Sequence, residues 1–292
     1  MARDRWAEWV LERRFGGDRE QYGRAMEQVA RFRDRVLANA RLEPDDVVLD
    51  VGAGDGLIAF GALERLGPHG SVVFTDISSD LLEHSRAVAA ELGVASRTRF
   101  VEASADALEP IEDESIDVVT TRSVLIFLDR SGKERAFREF NRVLRPGGRL
   151  AIFEPINRFG HPEPAGWFYG YDLTDMHDLV AKVLAVFSPE SESTLLDFDE
   201  RDLIDWAYAA GFDPVRLELE AELAPGSWLT ASWDVVLHSS PNPLAPTLGE
   251  ALDRALDAEE RASFERRLRP LVEANEGRRR MAHAYLTATK PA

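Results

Sequence analysis

The chain has no cysteine among its 292 residues. That excludes disulfides, thiolate metal sites and a cysteine nucleophile, and it fits a cytoplasmic protein. No apolar run reaches the roughly 18 residues that a membrane-spanning helix needs. The first residues carry Arg3, Arg5, Glu8, Glu12 and Arg13 with no apolar stretch among them, so no secretory leader is expected. Basic residues are scarce: 35 Lys and Arg stand against 52 Asp and Glu, a formal net charge of −17. A surface of that sign repels phosphate backbones, so nucleic acid is not expected as a partner. A neutral or cationic small molecule or peptide is easier to accommodate. No His, Asp and Glu spacing suggests a metal site.

What is present is 45% hydrophobic and 30% charged, ordinary for a globular protein with a real core. The chain is organised around Val47-Val48-Leu49-Asp50-Val51-Gly52-Ala53-Gly54-Asp55-Gly56. An apolar run ending in an acid reads as a buried parallel strand, and glycines at every second position then lead into a helical pattern at Leu57-Ile58-Ala59-Phe60. Strand, glycine turn and helix open a nucleotide-binding βαβ unit. The dinucleotide fingerprint would place its last glycine at 57, where Leu57 stands, and no lysine follows at phosphate-loop spacing. A nicotinamide oxidoreductase is therefore a poor fit.

Two amphipathic helices are expected before this unit, over 1–20 and 20–40, as a lid or as simple packing. Tyr22 is a candidate cofactor contact. Strands are expected at 71–76, 97–101, 116–121 and 149–154, with helices between them. Asp76 ends the second strand, where an acid accepts hydrogen bonds from ribose hydroxyls; capping the next helix is the alternative. Alternation of this kind implies a parallel sheet with right-handed crossovers. It stops after Pro155. A helix at about 199–210, a strand at 212–222, two charged helices over 247–257 and 258–275, and a last strand at 282–289 follow. Trp167, Phe168, Tyr169 and Tyr171 either wall an apolar pocket or form the core of a cap. Residues 190–222 hold eleven acids and two arginines, a solvated face or an attractor for a cationic substrate.

Together the segment 48–56, Asp76, Ala105-Asp106-Ala107, Asp117-Val118-Val119 and Arg142-Val143-Leu144-Arg145-Pro146-Gly147-Gly148 resemble the class I S-adenosylmethionine-dependent methyltransferases. The resemblance spans about 45–155. It implies a Rossmann-like α/β fold, a seven-stranded mainly parallel sheet with an antiparallel last strand, plus helical cap insertions. The implied layout is a helical lid over 1–43, a cofactor-binding core over 44–155 and a cap insertion over 156–198. A core helix and strand over 199–222, a second cap insertion over 223–280 and a final strand over 281–292 complete it. The implied cofactor is S-adenosyl-L-methionine. Gly52, Ala53, Gly54 and Gly56 would pass beneath its methionine part, and Asp50 would hold its amino group. Asp76, followed by Ile77, would take the ribose. Asp106 would accept from the adenine amine, with Ala107 beside it. Thr121, Arg122 and Ser123 would line the methyl region, where a guanidinium near a sulfonium must point away or pair with an acid.

The expected reaction is methyl transfer to O or N of a small metabolite or peptide. A non-catalytic cofactor-binding protein or an aminopropyl transferase would share the same first half. The candidates for a catalytic base are His161 on a loop, Glu154 at the end of the fifth strand, and His177; Asp172 and Tyr171 are weaker ones. The sequence leaves a homodimer open.

Overall fold

The computed structural model describes residues 3–14, 19–187, 192–226 and 232–292, without the side chains of 19–28, 192 and 193. Phe15, Gly16, Gly17 and Trp228, and the side chains of Tyr22 and Met26, lie outside that description. Seven strands form one sheet: β1 (Val47–Val51), β2 (Ser71–Asp76), β3 (Thr98–Glu102), β4 (Ile116–Arg122), β5 (Leu144–Pro155), β8 (Val215–Pro225) and β9 (Arg278–Thr289). Their order is β3-β2-β1-β4-β5-β9-β8. β3, β2, β1, β4 and β5 pair in parallel; β9 runs antiparallel to both β5 and β8. This is the sheet that the sequence implied.

Both faces of the central strands β1, β2, β4 and β5 are covered, which is why they are apolar on successive residues rather than alternate ones. Odd and even positions go to opposite sides. Val48, Val72, Val118, Ala151 and Tyr285 pack under α2 (Arg19–Ala40), α3 (Leu57–Leu63) and Leu82 of α4 (Ser79–Glu91). Leu49, Val73, Val119, Leu150 and Leu286 pack under α5 (Arg130–Val143) and α8 (Glu200–Ala209), with Phe137, Phe140 and Trp206 filling the space. The crossover helices begin at caps read locally. Ser78 Oγ accepts from Leu81 N, and an Asp129 carboxylate oxygen accepts from Gly132 N.

The two stretches read as separate insertions share one core. Phe168 and Tyr171, from the short strands β6 (Trp167–Phe168) and β7 (Tyr171–Asp172), pack with α6 (His177–Phe187). Trp233 and Val236 of α9 (Trp233–His238), Leu252 of α10 (Leu248–Ala255) and Phe264 of α11 (Ala258–Glu273) complete the cluster. Several strand ends differ from the expectation: β5 begins at Leu144 rather than 149, and β8 at Val215 rather than 212. The last strand begins at Arg278 rather than 281, and β8 runs on to Pro225, because Arg278, Arg279 and Arg280 pair with Pro225, Ala224 and Leu223. The charged side chains there hid a backbone ladder that does not depend on them.

Lys133 joins the core to α7 (Glu192–Leu196) and its flank. Its side chain is fully buried, and Nζ donates to Asp197 Oδ1 (2.6 Å), Thr194 O (3.0 Å) and Leu128 O. Removing the ammonium leaves three acceptors short of a donor. Lys133→Met is expected to lower unfolding stability by about 2–3 kcal/mol in chemical denaturation.

Candidate functional site

A cavity of about 810 Å³ opens along the edge of the sheet where the parallel strands end. That size suits a cofactor together with a small acceptor. Its floor is the turn after β1. Ala53 N donates to Thr75 O (2.9 Å), Gly54 N to Asp76 Oδ2 (2.9 Å) and Ser78 N to Asp76 Oδ1 (2.9 Å). Asp76 thus braces two loops and keeps a further lone pair on each oxygen. It is 8% exposed, and burial raises its pKa. Gly54 has φ +56°, and a Cβ built there would meet nothing within 4 Å, so this residue leaves open space above the turn. Gly56 is different: a Cβ there would strike the Phe60 ring at 2.4 Å, so its role is close packing.

Asp50 is the buried acid beneath this floor. Oδ1 accepts from Thr120 Oγ1 (2.8 Å), and Oδ2 is buried with no hydrogen-bond partner among the described residues. Burial pushes its carboxyl up to about 7, with the Thr120 bond and the Arg122 charge acting in the opposite sense. An orphaned carboxylate oxygen at a cavity wall is suited to a cation. Arg122 also lines the cavity, near the charges of Asp55, Asp50 and Glu154, and has no hydrogen bond among the described residues. Burial lowers its pKa.

The N-terminal segment closes one side. α1 (Arg5–Glu8) is capped by Asp4, whose Oδ2 accepts from Ser78 Oγ (2.7 Å), while Asp4 N donates to Asp80 Oδ2 (2.6 Å). The Trp6 ring stands edge-on to Phe127 at 5.0 Å. Farther along, Trp9 Nε1 donates to Ser240 O (2.9 Å), and Arg13 pairs with Glu250 of α10 (2.7 Å). This segment straps the core to the cap across the cavity, with Trp6, Trp9 and Val10 facing in.

Asp50, Gly52, Ala53, Gly54, Asp76, Ile77, Arg122, Ser123 and His161 come together on the cavity wall. Other sequence candidates do not line it. Asp106 is turned away, taking Ser104 Oγ (2.5 Å) and Arg135 Nη2 (2.7 Å); Ala103, Ser104 and Ala105 line the cavity instead of Asp106 and Ala107. Thr121 is buried with no partner for Oγ1 among the described residues, and Gly56 sits behind the wall. Glu154 is fully buried, and its Oε1 accepts from Val124 N (2.8 Å) and Leu125 N (2.9 Å). It anchors the loop after β4 rather than reaching an acceptor, and burial pushes its carboxyl up to about 7. His177 starts α6 beside Asp178, its side chain 63% exposed, outside the cavity. Asp172 caps Thr174, and Tyr171 is buried in the cap core. Of the four cap aromatics, Phe168 and Tyr169 reach the cavity wall.

His283 was not singled out by its sequence. It lines the cavity from β9, opposite Pro155, with its ring between Phe32 and Phe153 at 5.1 Å from each. Burial lowers its pKa and so favours the neutral imidazole. The signal that could have found it is its place in an otherwise apolar run, Ala282-His283-Ala284-Tyr285-Leu286. Among the described residues no group of three or more His, Asp or Glu side chains could hold a metal ion. No helix there is long and apolar enough to cross a membrane.

Residues 48–148 match the family model of a methyltransferase domain. The chain is 34% identical over 175 residues to the ubiquinone/menaquinone biosynthesis C-methyltransferase UbiE of Serratia proteamaculans, covering 58% of this chain and 66% of that one. It is 33% identical over 178 residues to the enzyme of that name from Ectopseudomonas mendocina, covering 60% and 68%. Against the arsenite methyltransferase of Halobacterium salinarum it is 31% identical over 188 residues, covering 59% and 47%. The chain thus spans about two thirds or less of the length of these relatives.

Two solved structures share the fold. The [4+2]-cyclase SpnF has TM-score 0.54 at 21% identity, covering 91% of this chain and 83% of that one. A geranyl diphosphate methyltransferase in complex with S-adenosylmethionine has TM-score 0.53 at 16% identity, covering 94% and 92%. Sheet order, glycine turn and relatives agree: this chain belongs to the class I S-adenosylmethionine-dependent methyltransferases, and S-adenosylmethionine is its cofactor. The site suits that molecule. The Asp50 oxygen that has no partner among the described residues would suit an ammonium, and the open space over Gly54 would admit a ligand against the backbone.

Proposed function

We propose that this chain transfers a methyl group to an oxygen or nitrogen of a small metabolite or peptide held between the sheet edge and the cap. The observation that carries this is the continuity of one cavity from Asp50, Gly54 and Asp76 to Phe168, Tyr169 and Val236. S-adenosylmethionine, when bound, supplies a methyl already activated by its positive sulfur. Asp50 Oδ2 would hold its ammonium, Arg122 its carboxylate and Asp76 its ribose hydroxyls. Ala103 to Ala105 would border the adenine. Trp6 and Trp9 on the strap exclude water, which strengthens each of these contacts. His161, which lines the cavity, would take the acceptor's proton.

A carbon acceptor is the second reading, favoured by the two C-methyltransferase relatives. Arsenite is disfavoured, because soft arsenic calls for thiolate ligands and the chain has none. The test is transfer of a labelled methyl to a panel of phenols, amines, carboxylates and quinols, with the methylated atom located by NMR. His161→Gln is expected to lower kcat about 10²-fold or more, leaving the affinity for demethylated cofactor unchanged. Cofactor binding with no transfer to any member of the panel would favour the non-catalytic reading.

A further inference from the structure

The charges around the acceptor half of the cavity run opposite to those of the whole chain. Near the cofactor half stand Asp50, Asp55 and Asp76; along the end of the N-terminal strap, the cap and the start of β9, the described lining residues include Arg14, Arg278, Arg279 and Arg280 against one carboxylate, Glu163. Glu163 is held by the backbone N–H groups of Gly170 and Tyr169 and has its pKa raised by burial. Arg14 lies over the Trp9 ring at 5.1 Å, and Arg279 is paired with Glu222 at 3.1 Å. Arg278 and Arg280 are two residues apart on β9, so they leave the same face of the sheet. The Arg280 guanidinium lies over the Phe159 ring at 5.2 Å, and neither residue has a carboxylate partner among the described residues.

The backbone there is fixed. Arg278 N donates to Gly170 O (2.8 Å), and the β8 ladder holds the positions on both sides. The net charge of −17 is spread over the whole surface, and salt screens charges more than about 8 Å away, so it weighs little inside the cavity. Inside the cavity the nearby arginines dominate, and a bound sulfonium adds a further positive charge. A neutral acceptor gains nothing from this field; an anion is both attracted and held deprotonated.

We propose that the acceptor is a small amphipathic acid, its apolar body against Phe168, Tyr169 and Val236 and its carboxylate or phosphate toward Arg278 and Arg280. This rests on the methyl-transfer reading of the same cavity, and it reverses the expectation of a neutral or cationic substrate drawn from composition. The test is isothermal titration of the full chain saturated with demethylated cofactor. The probes are 4-phenylbutyrate against 4-phenylbutyramide, and phenyl phosphate against phenol. At least one anion is expected to bind about tenfold or more tightly than its neutral partner. In the double variant Arg278→Gln, Arg280→Gln that preference should fall at least threefold, with the demethylated cofactor bound as before. The proposal is overturned by equal binding within both pairs, by a preference that survives the double substitution, or by failure of both anions to bind at millimolar concentration while demethylated cofactor binds. Failure of the demethylated cofactor itself to bind would strike the cofactor reading instead, and is read in the same titration. A thermal melt of the variant separates lost charge from lost fold; both side chains are exposed, so the melt should not move.

Discussion

Gly54→Val is expected to weaken binding of S-adenosylmethionine and its demethylated product at least about a hundredfold, equivalent to about 2.7 kcal/mol, by isothermal titration. Two effects act together. The residue lies at φ +56°, where a β-branched side chain is strained by about 1–2 kcal/mol. Nothing in the protein lies within 4 Å of a Cβ there, so the valine is not expelled by its neighbours; it occupies the space that the ligand needs. The strain should lower the melting temperature by a few degrees, on the order of 2–4 °C per kcal/mol. Unchanged circular dichroism with binding lost separates a blocked site from an unfolded one. Binding within threefold of the parent would mean that the ligand does not lie over this turn.

Affinity for the same cofactor should rise about 20-fold from about pH 5.5 to about pH 7.5, and Asp50→Asn should flatten that rise. The sign follows from burial. Taking Asp50 out of water favours its neutral form and pushes its carboxyl up to about 7; Thr120 and Arg122 act the other way, and Asp76 adds repulsion. Below 7 the folded protein holds a proton that the ligand's ammonium must displace. Above 7 the carboxylate is already charged and binding proceeds without that cost. Stability of the free protein runs oppositely. The folded state binds more protons than the unfolded one between the ordinary carboxylate range and about 7, so Asp50 lowers stability as pH rises through that window. Glu154 acts in the same direction for the same reason. The melting temperature of free protein should therefore fall, and its gain from cofactor grow, over one pH range. A flat affinity profile in the parent protein would exclude Asp50 as the ammonium partner.

The wall around the glycine turn was legible because its layout is local. Asp50, Gly52 and Gly54 lie on one strand and turn, and Asp76 ends the neighbouring strand, so spacing along the chain fixes their spacing in space. Asp106 shows where that fails. Its motif neighbours reach the cavity, but its own carboxylate is taken by Arg135 on α5, a partner that no local pattern announces. Glu154 was placed correctly at the strand end, yet the bare backbone N–H groups of Val124 and Leu125 claim it. His283 was passed over because a histidine between alanines in an alternating strand reads as packing. Only the approach of Phe32 from α2 and Phe153 from β5 shows that it borders the cavity. The arginines at 278–280 were counted with a helical insertion, whereas their backbone belongs to the sheet.

Because β9 lies between β5 and β8, a ribosome making this chain completes five parallel strands and β8 before it can supply the piece that joins them. From Pro155 until Arg278 emerges, the outer border of β5 stays uncovered, with its amide and carbonyl groups open to any nascent chain nearby. The stretch 48–148 that carries the cofactor signature is therefore not a miniature enzyme waiting to be excised. It is the first half of a seam that only the closing residues can sew.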